Sequence, residues 1–132
     1  MVFQKQFTYG MRCVSIVIAV TVFFLSAQSA LPVPSSDSFP GFDKLLHACA
    51  FGSLAFAFSY WVAAEKWRTA PFKYFVLVWF VTACYGITDE LHQYFVPGRD
   101  ASVYDWFADC TGAAFAVILR MRMVKKVDRI AG

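Results

Sequence analysis

Residues Asp89–Gly112 read DELHQYFVPGRDASVYDWFADCTG, and the fold is read outward from this stretch. Six charged side chains crowd into it: Asp89, Glu90, Arg99, Asp100, Asp105 and Asp109. His92, Gln93 and Ser102 add neutral polar groups. Apolar runs flank it on both sides, Phe75–Ile87 before and Ala113–Leu119 after. Charges set beside runs of this kind are costly to place in a membrane, and they mark a functional site by default. The Pro97-Gly98 pair reads as the turn of a hairpin between two apolar helices.

The chain has 132 residues, enough for one domain, and is 59% hydrophobic but only 16% charged. Soluble domains average roughly 45–50% apolar and about 25% charged residues. So short a chain has too little interior to hide that excess, and a bilayer is the simplest place for it. Cys13, Cys49, Cys84 and Cys110 lie in separate apolar segments without a C-x-x-C pair. That spacing disfavours a zinc framework or a disulfide set and reads as four small buried residues.

Four spans follow in order. The first is Cys13–Leu31, nineteen residues without a charge, close to the ~20 needed to cross a bilayer core. A cleavable signal peptide is the competing reading, with Lys5 and Arg12 as its basic part and Ala27-Gln28-Ser29 as its cleavage site. Pro32–Asp43 reads as a loop, Lys44–Ala64 as the second span, and Glu65–Lys73 as a charged connector. Tyr74–Leu91 is the third span and Val103–Leu119 the fourth. The expected fold class is therefore all-α, a four-helix transmembrane bundle. Residues 1–12 form its N-terminus, 13–119 the four-span domain and 120–132 a basic tail. That tail is expected to fray, and its charge suits an inner-leaflet anchor better than nucleic acid.

Ten of the twelve basic residues fall at the N-terminus, in the second connector or in the tail. Only Lys44 and Arg99 lie at the other ends of the spans, where seven of the nine acids gather. By the positive-inside rule both termini are expected in the cytoplasm. The protein is read as a multi-pass bacterial inner-membrane protein.

Helical spacing groups the polar residues. Thr82, Gly86, Asp89 and Gln93 share one face; Asp105, Asp109, Gly112 and Ala116 share another; Asp43 and His47 share a third. The expectation is an outward-open pocket between the second, third and fourth spans. Its ligand-binding residues are Asp43, His47, Asp89, Glu90, Gln93, Arg99, Asp105 and Asp109. Glu90 is free to pair with Arg99 across the turn, and Arg99 either bridges Asp89 or Asp105 or meets a carboxylate or phosphate of a ligand. His47 reads as an oriented acid/base or as a hydrogen-bond partner between helices. Ser102 reads as the cap of the fourth helix. His92 points away from Asp89 and stays outside the site. His47, Asp89, Asp105 and Asp109 fit no standard zinc spacing such as H-E-x-x-H, so no metal and no cofactor are assigned. No paired nucleophile, P-loop or dinucleotide fingerprint is present, and no catalytic residue is named.

These residues also resemble a family. Asp43-Lys44-x-x-His47, Asp89-Glu90-x-x-Gln93, Arg99, Asp105, Asp109 and Gly112 are similar to the motifs of the VanZ-like family of small bacterial membrane proteins. The resemblance covers about Asp43–Leu119. Phe51 departs from it where tyrosine is common, and Asp109 where asparagine is frequent. The resemblance implies a cell-envelope protein that engages a membrane lipid, a lipid-linked precursor or a cell-wall precursor. The best-known member is linked to resistance to the glycopeptide teicoplanin. An enzyme on the same site, a hydrolase or transferase acting on a lipid-linked phosphate or acyl group, is the alternative. A non-catalytic assembly subunit is a third reading. The oligomeric state is not legible.

Overall fold

The computed structural model describes residues 2–29 and 41–131. Its described residues form helices and turns only: α1 (Val2–Ser26), α2 (Phe42–Phe58), α3 (Ala64–Thr69), α4 (Pro71–Tyr94) and α5 (Val103–Ala131). A single 3-10 turn, Ser59–Trp61, follows α2. The long helices run up and down in turn, so α2 and α5 lie parallel. Lys44 meets Asp105 at the starts of α2 and α5, while Glu90 near the end of α4 meets Ser102 just before α5.

Two helices, Gln4–Ser26 and Pro71–Tyr94, are long and apolar enough to cross a membrane. The side chains are arranged in reverse of a protein in water. Phe72, Tyr94, Phe95 and Phe115 are exposed, whereas Asp89, Glu90, Gln93, Asp105 and Asp109 are buried. Exposed large apolar patches and buried polar groups are the informative departures from the usual pattern. Helical hydroxyls are satisfied locally: Ser15, Ser26, Thr82 and Thr111 each donate to a carbonyl three or four residues back.

Several helix limits differ from the expected spans. α1 starts and ends earlier than Cys13–Leu31. Arg12 does not interrupt it, because the guanidinium Nε donates to the Tyr60 carbonyl at 3.1 Å and stacks on Tyr9 and Trp61. The connector after α2 is partly helical, as α3, and buries Trp67, whose indole N–H donates to the Ser59 carbonyl. The tail continues α5 as helix to Ala131 instead of fraying. Most of the Pro32–Asp43 loop lies outside the described residues. The cysteines are free, but Cys13 and Cys49 are exposed rather than buried.

The closest contact joins α2 and α5. A methyl group placed on Gly112 would stand 2.0 Å from the Ala48 carbonyl oxygen, and one on Gly52 3.1 Å from the Gly112 oxygen. Only glycine admits backbones at that distance. The core below this crossing holds Ala55, Trp67, Val78, Ala113 and Val117; a second cluster of Val22, Phe51 and Leu54 binds α1 to α2. Two indoles tie α4 to α5: Trp79 donates to the Cys110 carbonyl and Trp106 to the Ala83 carbonyl, each at 3.0 Å.

Candidate functional site

The α4–α5 hairpin turns at Val96–Arg99. The Arg99 N–H donates to the Val96 carbonyl at 3.1 Å, and Gly98 takes φ 81°, the left-handed value a Pro-Gly turn asks of its glycine. Ser102 then caps α5, its hydroxyl accepting the Tyr104 N–H at 3.2 Å. In the usual box the acid three residues after the cap takes the cap's own N–H. Here Asp105 is turned away, and Glu90 of α4 accepts the Ser102 N–H through Oε2 at 2.7 Å. A carboxylate of α4 thus caps the start of α5 and locks the hairpin.

Three polar groupings stand at this end. At the rim, Lys44 donates to Asp43 Oδ2 at 2.7 Å and to Asp105 Oδ1 at 3.0 Å. Both Lys44 and Asp43 are about half-exposed, so this bridge is screened and weak on its own. One helical turn deeper, His47 Nδ1 lies 3.0 Å from Oδ1 of Asp109, which is 0% exposed. Phe51 lies beneath His47 with its ring parallel to the imidazole. Asp109 fits because Gly86 faces it without a side chain: a methyl group there would sit 3.0 Å from Oδ2. On α4, Gln93 donates to Asp89 Oδ2 at 2.9 Å, both buried.

The eight expected site residues therefore gather at one end of the bundle, but not in the expected arrangement. Lys44 draws Asp43 and Asp105 together, His47 meets Asp109, and Gln93 meets Asp89. Two clefts lie elsewhere among the described residues. One is an apolar groove of about 650 Å³ along α1, α2 and α5, and the other, about 370 Å³, holds Arg12, Arg68 and Arg120 at the basic end. Arg99 departs from its expected pairing. It forms no ion pair with Asp89, Glu90 or Asp105, and its Nε is buried without a partner among the described residues. Glu90 accepts the Ser102 N–H through Oε2, and Asp105 accepts Lys44 through Oδ1. Lys44 is the residue left out of the expected site, although it stands in the Asp43-Lys44-x-x-His47 motif. Being one of two basic residues among the clustered acids was the available signal. His92 stays outside, bonded to Ser26 at 3.1 Å and stacked on Phe23.

The VanZ/LLP1 family model matches residues 3–124. The chain belongs to the VanZ/LLP1 family. The match takes in α1 as well as the Asp43–Leu119 motifs. No curated protein and no solved structure matches the chain. In this VanZ/LLP1 protein the motif residues come from three helices and the α4–α5 turn. Its phenylalanine at 51 leaves the floor beneath His47 apolar. Its aspartate at 109 places a second carboxylate where an asparagine would have brought its own donor.

Proposed function

We propose that this protein is a multi-pass membrane protein of the bacterial cell envelope. Four helices span the bilayer, both termini are cytoplasmic, and the acidic end faces outward. There it engages the headgroup of a lipid-linked or cell-wall precursor. Arg99 carries this reading. Its guanidinium stands at the outer end of an apolar bundle, and no described carboxylate neutralises it. A planar guanidinium and the half-exposed Lys44 ammonium, at the same end of the bundle, each suit a phosphate. The rim carboxylates, Asp43 and Asp105, suit hydroxyl or amine groups on the same headgroup.

The test uses purified protein in detergent and a short-chain polyprenyl phosphate, followed by tryptophan fluorescence. A hydrogen bond to a charged group contributes roughly 1.5–3 kcal/mol. Arg99→Ala should therefore weaken binding by about tenfold or more. Undiminished binding by the Arg99→Ala, Lys44→Ala double variant refutes the reading. In cells, loss of the same residues should remove whatever teicoplanin protection the wild-type chain confers.

An enzyme on this site is the second reading, and the His47–Asp109 contact favours it. A carboxylate that orients an imidazole makes it a competent acid/base. Release of inorganic phosphate from a polyprenyl pyrophosphate, lost in His47→Gln but retained in His92→Gln, would establish it. An assembly subunit would instead lose a partner on pull-down.

A further inference from the structure

We propose that His47, Glu90 and Asp109 form a binding site for one divalent transition-metal ion. The three come from α2, α4 and α5, and no spacing along the chain links them. A ring nitrogen of His47 and one oxygen from each carboxylate lie within 4.8 Å of one another. Ligands around a single metal ion at about 2.0–2.2 Å are that close.

Two further observations point to a missing cation. Glu90 is 9% exposed and Asp109 0%. Glu90 Oε1 and Asp109 Oδ2 have no hydrogen-bond partner among the described residues. Buried polar groups are almost always paired, and each exception calls for an explanation. The neighbouring donors are engaged elsewhere. Lys44 holds Asp43 and Asp105, Gln93 holds Asp89, and the Ser102 N–H holds the other oxygen of Glu90. Arg99 pairs with neither acid. One imidazole proton is left to serve two buried carboxylates. A divalent ion satisfies both by coordination.

The donor set selects the ion. An imidazole with two carboxylates suits zinc, manganese or iron, whereas magnesium and calcium prefer oxygen alone. Three protein ligands leave further positions for water or a phosphate oxygen. The surroundings hold the ligands in place: the Ser102 N–H fixes Glu90, the Phe51 ring flanks His47, and Gly86 makes room for Asp109. Such supports orient first ligands and tune affinity.

Cobalt(II) is the probe, because the exposed Cys13 and Cys49 also attract metals and cobalt reports its ligands by colour. Full-length protein in detergent is stripped with a chelator and titrated with cobalt at neutral pH. The expected result is one tight site per chain, visible d–d bands and no thiolate charge-transfer band. Glu90→Gln and Asp109→Asn, both isosteric, should each weaken that site by more than about tenfold, with helix content unchanged by circular dichroism. Asp100→Asn, in the exposed turn, should leave it unchanged. A wild-type chain that takes up no cobalt overturns the proposal and leaves the cluster neutralised by protons. So does a thiolate spectrum, or equal affinity in all four proteins. The site stands apart from the headgroup reading, since cobalt is titrated without lipid and either can fail alone.

Discussion

Gln93 and Lys44 show how position decides the worth of a polar contact. Gln93 donates to Asp89 with both side chains buried, while Lys44 bridges two acids with its own side chain 42% exposed. Replacing Gln93 by leucine leaves a buried carboxylate without its donor, at a cost of roughly 1.5–3 kcal/mol. Lys44→Met should cost less than about 1 kcal/mol, since exposed ion pairs are screened. Thermal denaturation of both variants in one detergent gives the comparison, and a larger loss for Lys44→Met would show that the rim pair is shielded. The helix faces that hold Asp89 with Gln93 and Asp43 with His47 were legible from spacing alone. Arg99 was not: its distance from each acid depends on how the hairpin turns.

At the scale of elements, the parallel contact of α2 with α5 governs the site, because it brings Lys44 to Asp105 and His47 to Asp109. That contact depends on Gly112. The added carbon of Gly112→Ala meets the backbone of Ala48, which no rotamer change can move. The helices must separate, with a penalty at or above the upper end of the roughly 1–3 kcal/mol typical of overpacking. Cobalt affinity and the His47–Asp109 contact should fall with it. Gly10→Ala is the matching control in α1. Its added carbon meets nothing within 4 Å, and alanine in a helix gains roughly 0.5–1 kcal/mol over glycine. Denaturation should rank Gly10→Ala at or above wild type and Gly112→Ala well below. In sequence, Gly112 and Ala116 read only as sharing a face with Asp105 and Asp109; which neighbour they face, and how closely, is a property of two helices together.

Across the whole molecule, charge is sorted by end. The acids and Lys44 cluster at one end; Arg12, Arg68 and Arg120 line the cleft at the other. Under the positive-inside rule a reporter fused after Gly132 should read cytoplasmic, and one inserted near Ser36 external. An external C-terminus would break the four-span reading. α1 is built into this arrangement rather than appended. Tyr85 donates to its Ala19 carbonyl at 2.7 Å, Trp61 to its Ser15 hydroxyl at 3.0 Å, and Ser26 meets His92.

Helical class, the polar face of each helix and the sorting of charge were all written in the sequence. They depend on composition and on a period of 3.6 residues, which each segment carries by itself. The tertiary structure decided the pairings: Lys44 rather than Arg99 with Asp105, Ser102 rather than Arg99 with Glu90, and His47 with Asp109. It also decided that three residues without a metal-binding spacing bring ligand atoms within 4.8 Å of one another. The physical reason is that spacing fixes which way a side chain points from its own axis, but not how neighbouring axes rotate and approach. Here the glycines at 52, 86 and 112 set that approach, by leaving space for a backbone or a carboxylate where any side chain would have held it off.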